Sequence, residues 1–159
     1  MKLVAVTAGL ILILDQITKL IALERLTLGV PVAVIDGFFS LTLVVNPGLA
    51  FGMLAETPVS WRWLVALLSI AALGVLFFLA VRLLPTGGFL TALALGGIVG
   101  GALGNLIDRA RFGGVVDFLD FYWRGYHWPA FNVADSAISV GVTLLAIHMV
   151  LAPAPAPRR

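Results

Sequence analysis

Residues 88–107 read GFLTALALGGIVGGALGNLI and contain no charged side chain. A second stretch of the same character, residues 64–81, reads LVALLSIAALGVLFFLAV and is bounded by Arg62 and Arg82. A helix that crosses the hydrocarbon core of a bilayer needs roughly 20 consecutive, mainly apolar residues, with some variation in length. Both stretches meet that requirement, so they predict a membrane protein.

The composition of the whole chain supports the same class. Of its 159 residues, 61% are hydrophobic and 11% are charged, whereas about a quarter of the residues are charged in an ordinary soluble domain. So few charged side chains cannot cover the surface of a soluble protein of this length, and lipid must therefore solvate most of the chain. The net charge of +2 is not gathered into a basic stripe, which argues against a nucleic-acid partner.

Two further apolar stretches, near the two ends of the chain, complete the predicted fold. The first is interrupted by Asp15, Gln16 and Lys19, and the last carries Asp135 near its start. The predicted class is an all-α membrane protein with a small β-like periplasmic segment between the first two of its four transmembrane helices. The predicted helices cover about residues 3–23, 64–81, 88–107 and 133–152, in a single domain 1–152 followed by a flexible Ala, Pro and Arg tail, 153–159.

The connection between the first two predicted helices differs from the spans. Residues 30–45 mix β-branched and aromatic side chains with Pro31, Asp36 and Gly37, a pattern that predicts short strands or a hairpin at the membrane surface. The short connection 82–87 and the basic chain ends favour termini in the cytoplasm, although the counts of Lys and Arg alone do not decide the orientation.

Uncommon polar residues gather at helix ends that this arrangement puts on one side of the membrane. They fall into five blocks: Asp15 to Lys19, Asn46 to Gly52, Gly104 to Arg109, Gly114 to Phe118, and Phe131 to Asp135. An ionisable residue at membrane depth is unfavourable by about 3 kcal/mol on insertion scales, so each such residue is a functional hypothesis by default.

Several of these residues also have a purely structural explanation. Asp15 and Lys19 are four residues apart on a helix and can simply neutralise each other. Asn105 can cap the end of its helix, and Asp108 with Arg109 is expected to form a solvated ion pair.

The glycines of residues 96–104 form a smooth stripe on the third predicted helix, with four-residue spacings. Such a stripe favours close packing against another helix, and the alternative is a groove for an acyl chain or a substrate helix.

Asp117 and Asp135 are the two acids most suited to chemistry. Asn132 and Asp135 also fit the start of a helix, because Asn is a favoured N-cap and an acid is stabilised in the first turn. However, Asp135 lies just inside an apolar stretch, and Asp117 is flanked by Val116 and Phe118. In a low dielectric two neighbouring carboxylates share one proton, so that one can take a proton from water while the other polarises a carbonyl group.

Other hydrolytic chemistries have no support in the sequence. The chain has no cysteine, and its two histidines, His127 and His148, are not at a zinc-ligand spacing. Neither a Gly-x-Ser-x-Gly nor a His-Glu-x-x-His motif is present. We therefore expect a carboxylate pair that works without a metal ion or a cofactor.

The five blocks, in this order within a chain of four apolar stretches, resemble those of the lipoprotein signal peptidase family, also called signal peptidase II. The resemblance covers nearly the whole chain, with one departure at Leu49, where the family more often carries a small residue. It implies an aspartic endopeptidase of the bacterial inner membrane, with its active site near the periplasmic leaflet. Such an enzyme removes the signal peptide of a diacylglyceryl-modified prolipoprotein by cleaving before the lipid-modified cysteine, and needs no metal or cofactor.

The resemblance also implies the site residues and the partners. Asp117 and Asp135 are the implied catalytic dyad. The residues expected to bind substrate or support the site are Asp15, Lys19, Asn46, Gly48, Asn105, Arg109 and Asn132. The implied partners are the signal-peptide helix with its diacylglyceryl-cysteine, membrane phospholipid, and inhibitors of the globomycin type.

Two other functions compete with this interpretation. A small proton-coupled transporter or channel subunit would use Asp15, Lys19 and Asp135 as a relay, but its acids should lie near the bilayer midplane or in an internal repeat. A non-catalytic assembly factor would pack through the glycine-rich helix, but it would not need two acids in apolar settings.

Overall fold

Three helices and four strands make up most of the part of the chain that the structure describes. The computed structural model describes residues 1–48, 67–68, 71, 74–75, 78, 82 and 88–151. The helices are α1 (Lys2–Arg25), α2 (Phe89–Phe112) and α3 (Val133–Leu151), and the strands are β1 (Val32–Ile35), β2 (Phe39–Asn46), β3 (Val115–Trp123) and β4 (Tyr126–His127). Most of the predicted helix 64–81, residues 49–52 of the second block and the tail 153–159 lie outside the described residues.

The described helices correspond to three of the predicted spans. By length and composition, α1 and α2 can each cross a membrane, and α3 contains the shorter apolar run Val133–His148. α2 continues past the predicted end at residue 107 because Asp108 and Arg109, which pointed to a helix end, find polar partners inside the fold. The helix ends instead at Phe112 and is capped by Gly113, whose φ of 69° is left-handed and whose N–H donates to the carbonyl of Arg109 at 3.1 Å. Asn105 therefore does not cap this helix.

α2 packs between α1 and α3 through its glycines. A Cβ atom at Gly100 would lie 2.5 Å from the carbonyl oxygen of Ala8 in α1. A Cβ atom at Gly101 would lie 2.5 Å from the carbonyl oxygen of Ala134 in α3. Neighbouring helices therefore occupy both sides of the stripe. Among the residues that the structure describes, neighbouring helices fill the space beside these glycines, which confirms tight packing as their explanation.

The same contacts give the directions of the helices. Along α1 and α2, Gly96 lies beside Thr7 and Gly104 lies beside Asp15, so the two helices run parallel. Along α2 and α3, a Cβ atom at Gly101 meets Ala134 whereas one at Gly97 meets Ala137, so these two run antiparallel. The C-terminal ends of α1 and α2 and the N-terminal end of α3 therefore lie at one end of the bundle.

An antiparallel four-stranded sheet of order β1-β2-β3-β4 lies at this end. The strands predicted within residues 30–45 are confirmed as β1 and β2. β3 and β4 were not predicted, and an all-α class is therefore too narrow for this fold. β3 escapes prediction because Val115 to Phe118 are all buried and give no alternation of apolar and polar residues.

β3 is also joined to the residues that precede α3. The backbone N–H groups of Phe118 and Leu119 donate to the carbonyl of Phe131 at 3.1 and 2.9 Å, and the N–H of Phe131 donates back to the carbonyl of Leu119 at 3.1 Å. The ring of Phe121 stacks on that of Phe131 with a centroid distance of 5.9 Å. These bonds hold Asn132 beside the strand that carries Asp117.

Candidate active site

Five polar side chains from four different segments meet at this end of the bundle. Asp117 comes from β3, Asn46 from the end of β2, Asn105 from α2, and Asn132 and Asp135 from the start of α3. Segments that are far apart in the chain are brought together because α1 and α2 run in the same direction and β2 pairs with β3. The structure thus unites residues from separate sequence blocks in a single cluster.

Asn132 contacts both acids of the predicted dyad. Its Oδ1 accepts a hydrogen bond of 2.9 Å from the backbone N–H of Asp135, which is the N-cap interaction expected from the sequence. Its Nδ2 donates to Oδ1 of Asp117 at 2.7 Å. The side chain is completely buried. The capping role and the contact with the second acid are therefore both present in one residue.

Asp117 is a buried carboxyl group that receives two amide donors. Besides the bond from Asn132, Nδ2 of Asn46 donates to its Oδ2 at 3.2 Å. Burial, and after it the charge of Asp135, raise the pKa of Asp117 to about 7, although the hydrogen bonds from the two amides act in the opposite direction. Since the charge of Asp135 affects Asp117, the two carboxyl groups interact electrostatically.

Asp135 is held from the side of α2. Nδ2 of Asn105 donates to Oδ1 of Asp135 at 2.8 Å. Oδ1 of Asn105 in turn accepts from Nζ of Lys19 at 2.9 Å and from Nδ2 of Asn132 at 3.3 Å. An amide whose oxygen faces an ammonium group must present its nitrogen to the other side, so Lys19 sets the orientation in which Asn105 donates to Asp135.

Lys19 is paired with two acids rather than one. Its Nζ lies 2.9 Å from Oδ2 of Asp15, which confirms the expected neutralisation, and 2.7 Å from Oδ2 of Asp108. The expectation that Asp108 forms a solvated pair with Arg109 is wrong, because Asp108 is only 1% exposed. A buried carboxylate needs a buried partner, and Lys19 provides it.

Two residues of this cluster, Asp108 and Gln16, were not predicted as site residues from the sequence. Nε2 of Gln16 donates to Oδ1 of Asp108 at 3.0 Å. The spacing of α2 contains a signal for Asp108, because it follows Asn105 by three residues and Gly104 by four, which puts all three on one helix face. A polar residue that shares its face with a packing glycine is directed into the bundle.

Arg109 joins α2 to the connection after β2. Its Nη2 donates to the carbonyl of Gly48 at 2.9 Å, and its Nη1 donates to the carbonyl of Asn105 at 3.2 Å. The N–H of Gly48 donates to Oδ1 of Asn46 at 2.9 Å. The predicted site residues Asn46, Gly48, Asn105 and Arg109 are therefore linked to one another.

The carboxyl groups are the part of this arrangement that can carry out chemistry. Within the ranges 1–48 and 88–151, no group of three or more His, Cys, Asp or Glu side chains is arranged to hold a metal ion. What the cluster offers is a pair of interacting carboxyl groups held by neutral amides, with one pKa of about 7. Such a pair can both accept and donate a proton near neutral pH.

A family model described as "Signal peptidase (SPase) II" matches residues 7–151 of the chain. The chain belongs to the signal peptidase II family. It is 48% identical over 147 residues to a lipoprotein signal peptidase of Syntrophus aciditrophicus, covering 91% of this chain and 90% of the relative. It is 51% identical over 139 residues to a lipoprotein signal peptidase of Geobacter sulfurreducens, covering 87% and 86%.

Solved structures agree with this membership of the signal peptidase II family. A bacterial membrane enzyme determined at 1.9 Å resolution superposes with a TM-score of 0.75 at 29% identity, covering 94% of both chains. Another, determined at 2.3 Å, gives a TM-score of 0.73 at 31% identity, covering 92% of this chain and 87% of the other.

Membership of the signal peptidase II family makes the chain a membrane-bound peptidase that acts in lipoprotein processing. The family resemblance inferred from the five blocks is confirmed. The transporter and the assembly factor were alternatives to a peptidase, and the family leaves no reason to retain them.

Proposed function

We propose that the chain is an aspartic endopeptidase that removes the signal peptide of a diacylglyceryl-modified prolipoprotein by cleaving before the lipid-modified cysteine. Asp117 and Asp135 are the catalytic residues in this proposal. The substrate class follows from the relatives, which are lipoprotein signal peptidases. The choice of the two acids follows from their contacts.

The observation that carries the proposal is the double contact of Asn132. One end of its amide accepts from the backbone of Asp135 at 2.9 Å, and the other end donates to the carboxyl group of Asp117 at 2.7 Å. A single buried side chain thus links the backbone of Asp135 to the carboxyl group of Asp117. Catalysis by two carboxyl groups requires fixed relative positions of those groups.

The protonation state suits the reaction. Because burial raises the pKa of Asp117 to about 7, the pair carries one proton near neutral pH, and the macroscopic pKa values belong to the pair. The ionised carboxylate takes a proton from water while the oxygen of that water attacks the scissile carbonyl carbon. The neutral carboxyl group donates a hydrogen bond to the carbonyl oxygen, on which negative charge develops.

The tetrahedral intermediate then collapses as the carbon–nitrogen bond breaks. The departing nitrogen, which belongs to the lipid-modified cysteine, takes a proton from the dyad. The new carboxyl group of the signal peptide then ionises, and its proton goes to the released amine. One water is consumed, and the dyad, which took one proton from that water and gave one to the nitrogen, again carries a single proton. All proton transfers are carried by carboxyl groups, and we expect no dependence on a metal ion or cofactor.

The remaining site residues have supporting roles in this proposal. Asn46 and Asn105 donate to the two acids, and Arg109 holds the carbonyl of Gly48. The backbone of Gly48 would then lie next to the dyad, where it can bind the substrate backbone.

The chain is proposed to cross the bacterial inner membrane four times, with both termini in the cytoplasm. Support comes from the parallel directions of α1 and α2. If both cross the membrane the same way, the chain between them must cross back, and the apolar stretch 64–81 is long enough to do so. The dyad would then lie near the periplasmic leaflet, where it would meet a substrate anchored in the membrane by its diacylglyceryl group.

The test is cleavage of a lipidated precursor by the purified protein in detergent, followed by gel shift. Asp117→Asn and Asp135→Asn are each expected to abolish cleavage, while both proteins accumulate in the membrane. Asp120→Asn is the matched control, because Asp120 is also a buried acid of β3 but bonds to Ser40 and Thr42 instead of the dyad. Normal cleavage by either dyad variant would refute the proposal. Globomycin is expected to inhibit the wild type.

A further inference from the structure

We infer that Asp15, Lys19 and Asp108 form a buried ionic clamp that sets the separation of the two catalytic carboxyl groups, with Asp15 and Asp108 as positioning residues. The inference rests on the proposed function, since it takes Asp117 and Asp135 as the reacting pair. The clamp itself touches neither of their carboxyl groups. It acts on the backbone that carries them.

Lys19 is the centre of the clamp. An ammonium group has three N–H donors, and three acceptors surround Nζ: Asp15 at 2.9 Å, Asp108 at 2.7 Å and Asn105 at 2.9 Å. The Lys19 side chain is only 2% exposed. This buried ammonium group uses all its donors and fixes the distance between its two carboxylate partners. Neither carboxylate can move away without leaving a buried charge unpaired.

Asp108 connects the centre to the strand that carries Asp117. Its Oδ2, the oxygen that faces Lys19, also accepts a hydrogen bond of 3.1 Å from the backbone N–H of Val116. Val116 immediately precedes Asp117 and is completely buried. The carboxylate therefore fixes the backbone of β3 one residue before the catalytic side chain.

Asp15 connects the centre to the helix that carries Asp135. Its Oδ1 accepts a hydrogen bond of 2.9 Å from the backbone N–H of Ala134, which immediately precedes Asp135. That N–H lies in the first turn of α3 and has no partner within its own helix, so it can bond to a carboxylate from outside. The negative charge of Asp15 is in turn stabilised by the positive end of the helix dipole. The arrangement repeats that of Asp108: each acid of the clamp holds the residue before one acid of the dyad.

The two connections share Lys19 and therefore act together. A shift of Asp15 or Asp108 relative to the other would move one dyad backbone relative to the other. The third partner of Lys19, Asn105, donates to Asp135 and adds a side-chain connection to the same centre. Since a misplacement of about 1 Å can reduce a rate by roughly 10²-fold, the clamp should affect the chemical step more than substrate binding.

Gly104 provides the space that the clamp needs. A Cβ atom at this position would overlap Oδ2 of Asp15, the oxygen that faces Lys19. A side chain at residue 104 would therefore displace Asp15 without removing any charged or hydrogen-bonding group.

The experiment compares Asp108→Ala with Asp108→Asn, measuring kcat and KM for a lipidated precursor. Alanine removes the acceptor for Val116, whereas asparagine can keep its oxygen towards Lys19 and Val116 while the amide of Gln16 turns to accept from it. We expect alanine to lower kcat by at least about tenfold with KM nearly unchanged, and asparagine to restore most of the loss.

The control is Asp120→Ala, which removes another buried acid, one that lies in β3 and is bonded to Ser40, Thr42 and His127. It should lower Tm without lowering kcat. The clamp is refuted if Asp108→Ala keeps a kcat equal to that of the control, or if asparagine and alanine at residue 108 lose the same activity.

Gly104→Ala keeps the test decisive if Asp108→Ala does not accumulate in the membrane. It should lower kcat in the same way, and an unchanged kcat would refute the clamp. Failure of the clamp is distinguishable from failure of the proposed function. If Asp117→Asn and Asp135→Asn are inactive but the clamp variants are not, only the clamp is wrong, whereas active dyad variants refute the proposed function itself.

Discussion

Asn132 illustrates how one residue can satisfy a local and a long-range requirement at once. Its oxygen caps α3 and its nitrogen donates to Asp117 on a different element. The sequence alone presents these as competing explanations, because an Asn three residues before an acid is a common start of a helix. The structure shows that both interactions use the same amide.

The two interactions of Asn132 can be separated by Asn132→Ser. Serine is as good an N-cap as asparagine, so the stability of α3 should change little. It has no donor that reaches Asp117, so kcat should fall by about 10²-fold as the two acids lose their common partner. The measurements are Tm and the rate of precursor cleavage.

Asn132→Ala provides the comparison, because alanine removes both the cap and the donor. It should lose activity as serine does and, in addition, about 1 kcal/mol of stability. If Asn132→Ser retains the wild-type rate, the hydrogen bond from Asn132 to Asp117 is not needed for catalysis.

The raised pKa of Asp117 predicts a pH dependence of stability. Its folded-state pKa is about 7 against a reference value of 3.8, so between these values the folded protein binds a proton that the unfolded chain has released. Stability should therefore fall as pH rises from about 4 to about 7 and then level off, with a slope near 1.4 kcal/mol per pH unit. Tm measured by tryptophan fluorescence in detergent over this range would show the decline.

The control for this slope is Asp117→Asn, which cannot titrate at residue 117. Its Tm should depend less steeply on pH than that of the wild type over the same interval. Equal slopes in the two proteins would mean that Asp117 does not hold a proton at neutral pH. The rate should also decline above pH 7, as the dyad loses its shared proton.

The sequence was most informative where a polar residue has apolar neighbours in the chain. Asp117 stands out because valines and phenylalanine flank it, and the structure finds it buried with a pKa of about 7. Asp108 was misinterpreted because Arg109 is its neighbour in sequence, whereas its partner in space is Lys19. Adjacent residues on a helix point in different directions, so sequence neighbours of opposite charge are poor predictors of an ion pair.

At the scale of elements, α2 is the central helix of the described bundle because its glycines allow close contact with α1 on one face and with α3 on another. Gly101 faces α3 at the level of Ala134, one residue before Asp135. Any side chain here would push the start of α3 away from α2 and with it the contact between Asn105 and Asp135. The packing of this helix therefore bears directly on the geometry of the dyad.

Gly101→Ala should be destabilising by about 1–3 kcal/mol, because its Cβ would lie 2.5 Å from the carbonyl oxygen of Ala134, which is backbone and cannot move aside. Gly97→Ala is the matched control on the same helix and towards the same partner. Its Cβ would lie 3.4 Å from the carbonyl oxygen of Ala137, an ordinary contact. Alanine there should be neutral or slightly stabilising, and equal loss of Tm in both variants would contradict this account of the packing.

The elements differed in how well the sequence predicted them. Spans near residues 3–23 and 88–107 were recognisable from apolar length alone, and they match α1 and α2. β1 and β2 are joined by the turn residues Asp36 and Gly37, which mark a hairpin. β3 carries no such signal, since its buried first half looks like any short apolar run and its pairing with β2 joins residues about 75 positions apart in the chain.

At the scale of the whole molecule, the parallel arrangement of α1 and α2 constrains the path of the chain. Lys19 near the C-terminal end of α1 contacts Asn105 and Asp108 near the C-terminal end of α2. If both helices cross the bilayer, an odd number of crossings must lie between them. The length of the chain leaves room for one, which gives the proposed four crossings with both termini on one side.

This topology can be tested by labelling single cysteines, because the chain contains none of its own. Tyr126, in β4, is 84% exposed and lies in the sheet at the end of the bundle that holds the dyad. Lys2 begins α1 at the opposite end. In intact spheroplasts, a membrane-impermeant maleimide should label Tyr126→Cys but not Lys2→Cys, and permeabilisation should expose both. Labelling of Lys2→Cys alone would place the dyad on the cytoplasmic side, where it could not act on a signal peptide whose lipid-modified cysteine lies at the outer leaflet.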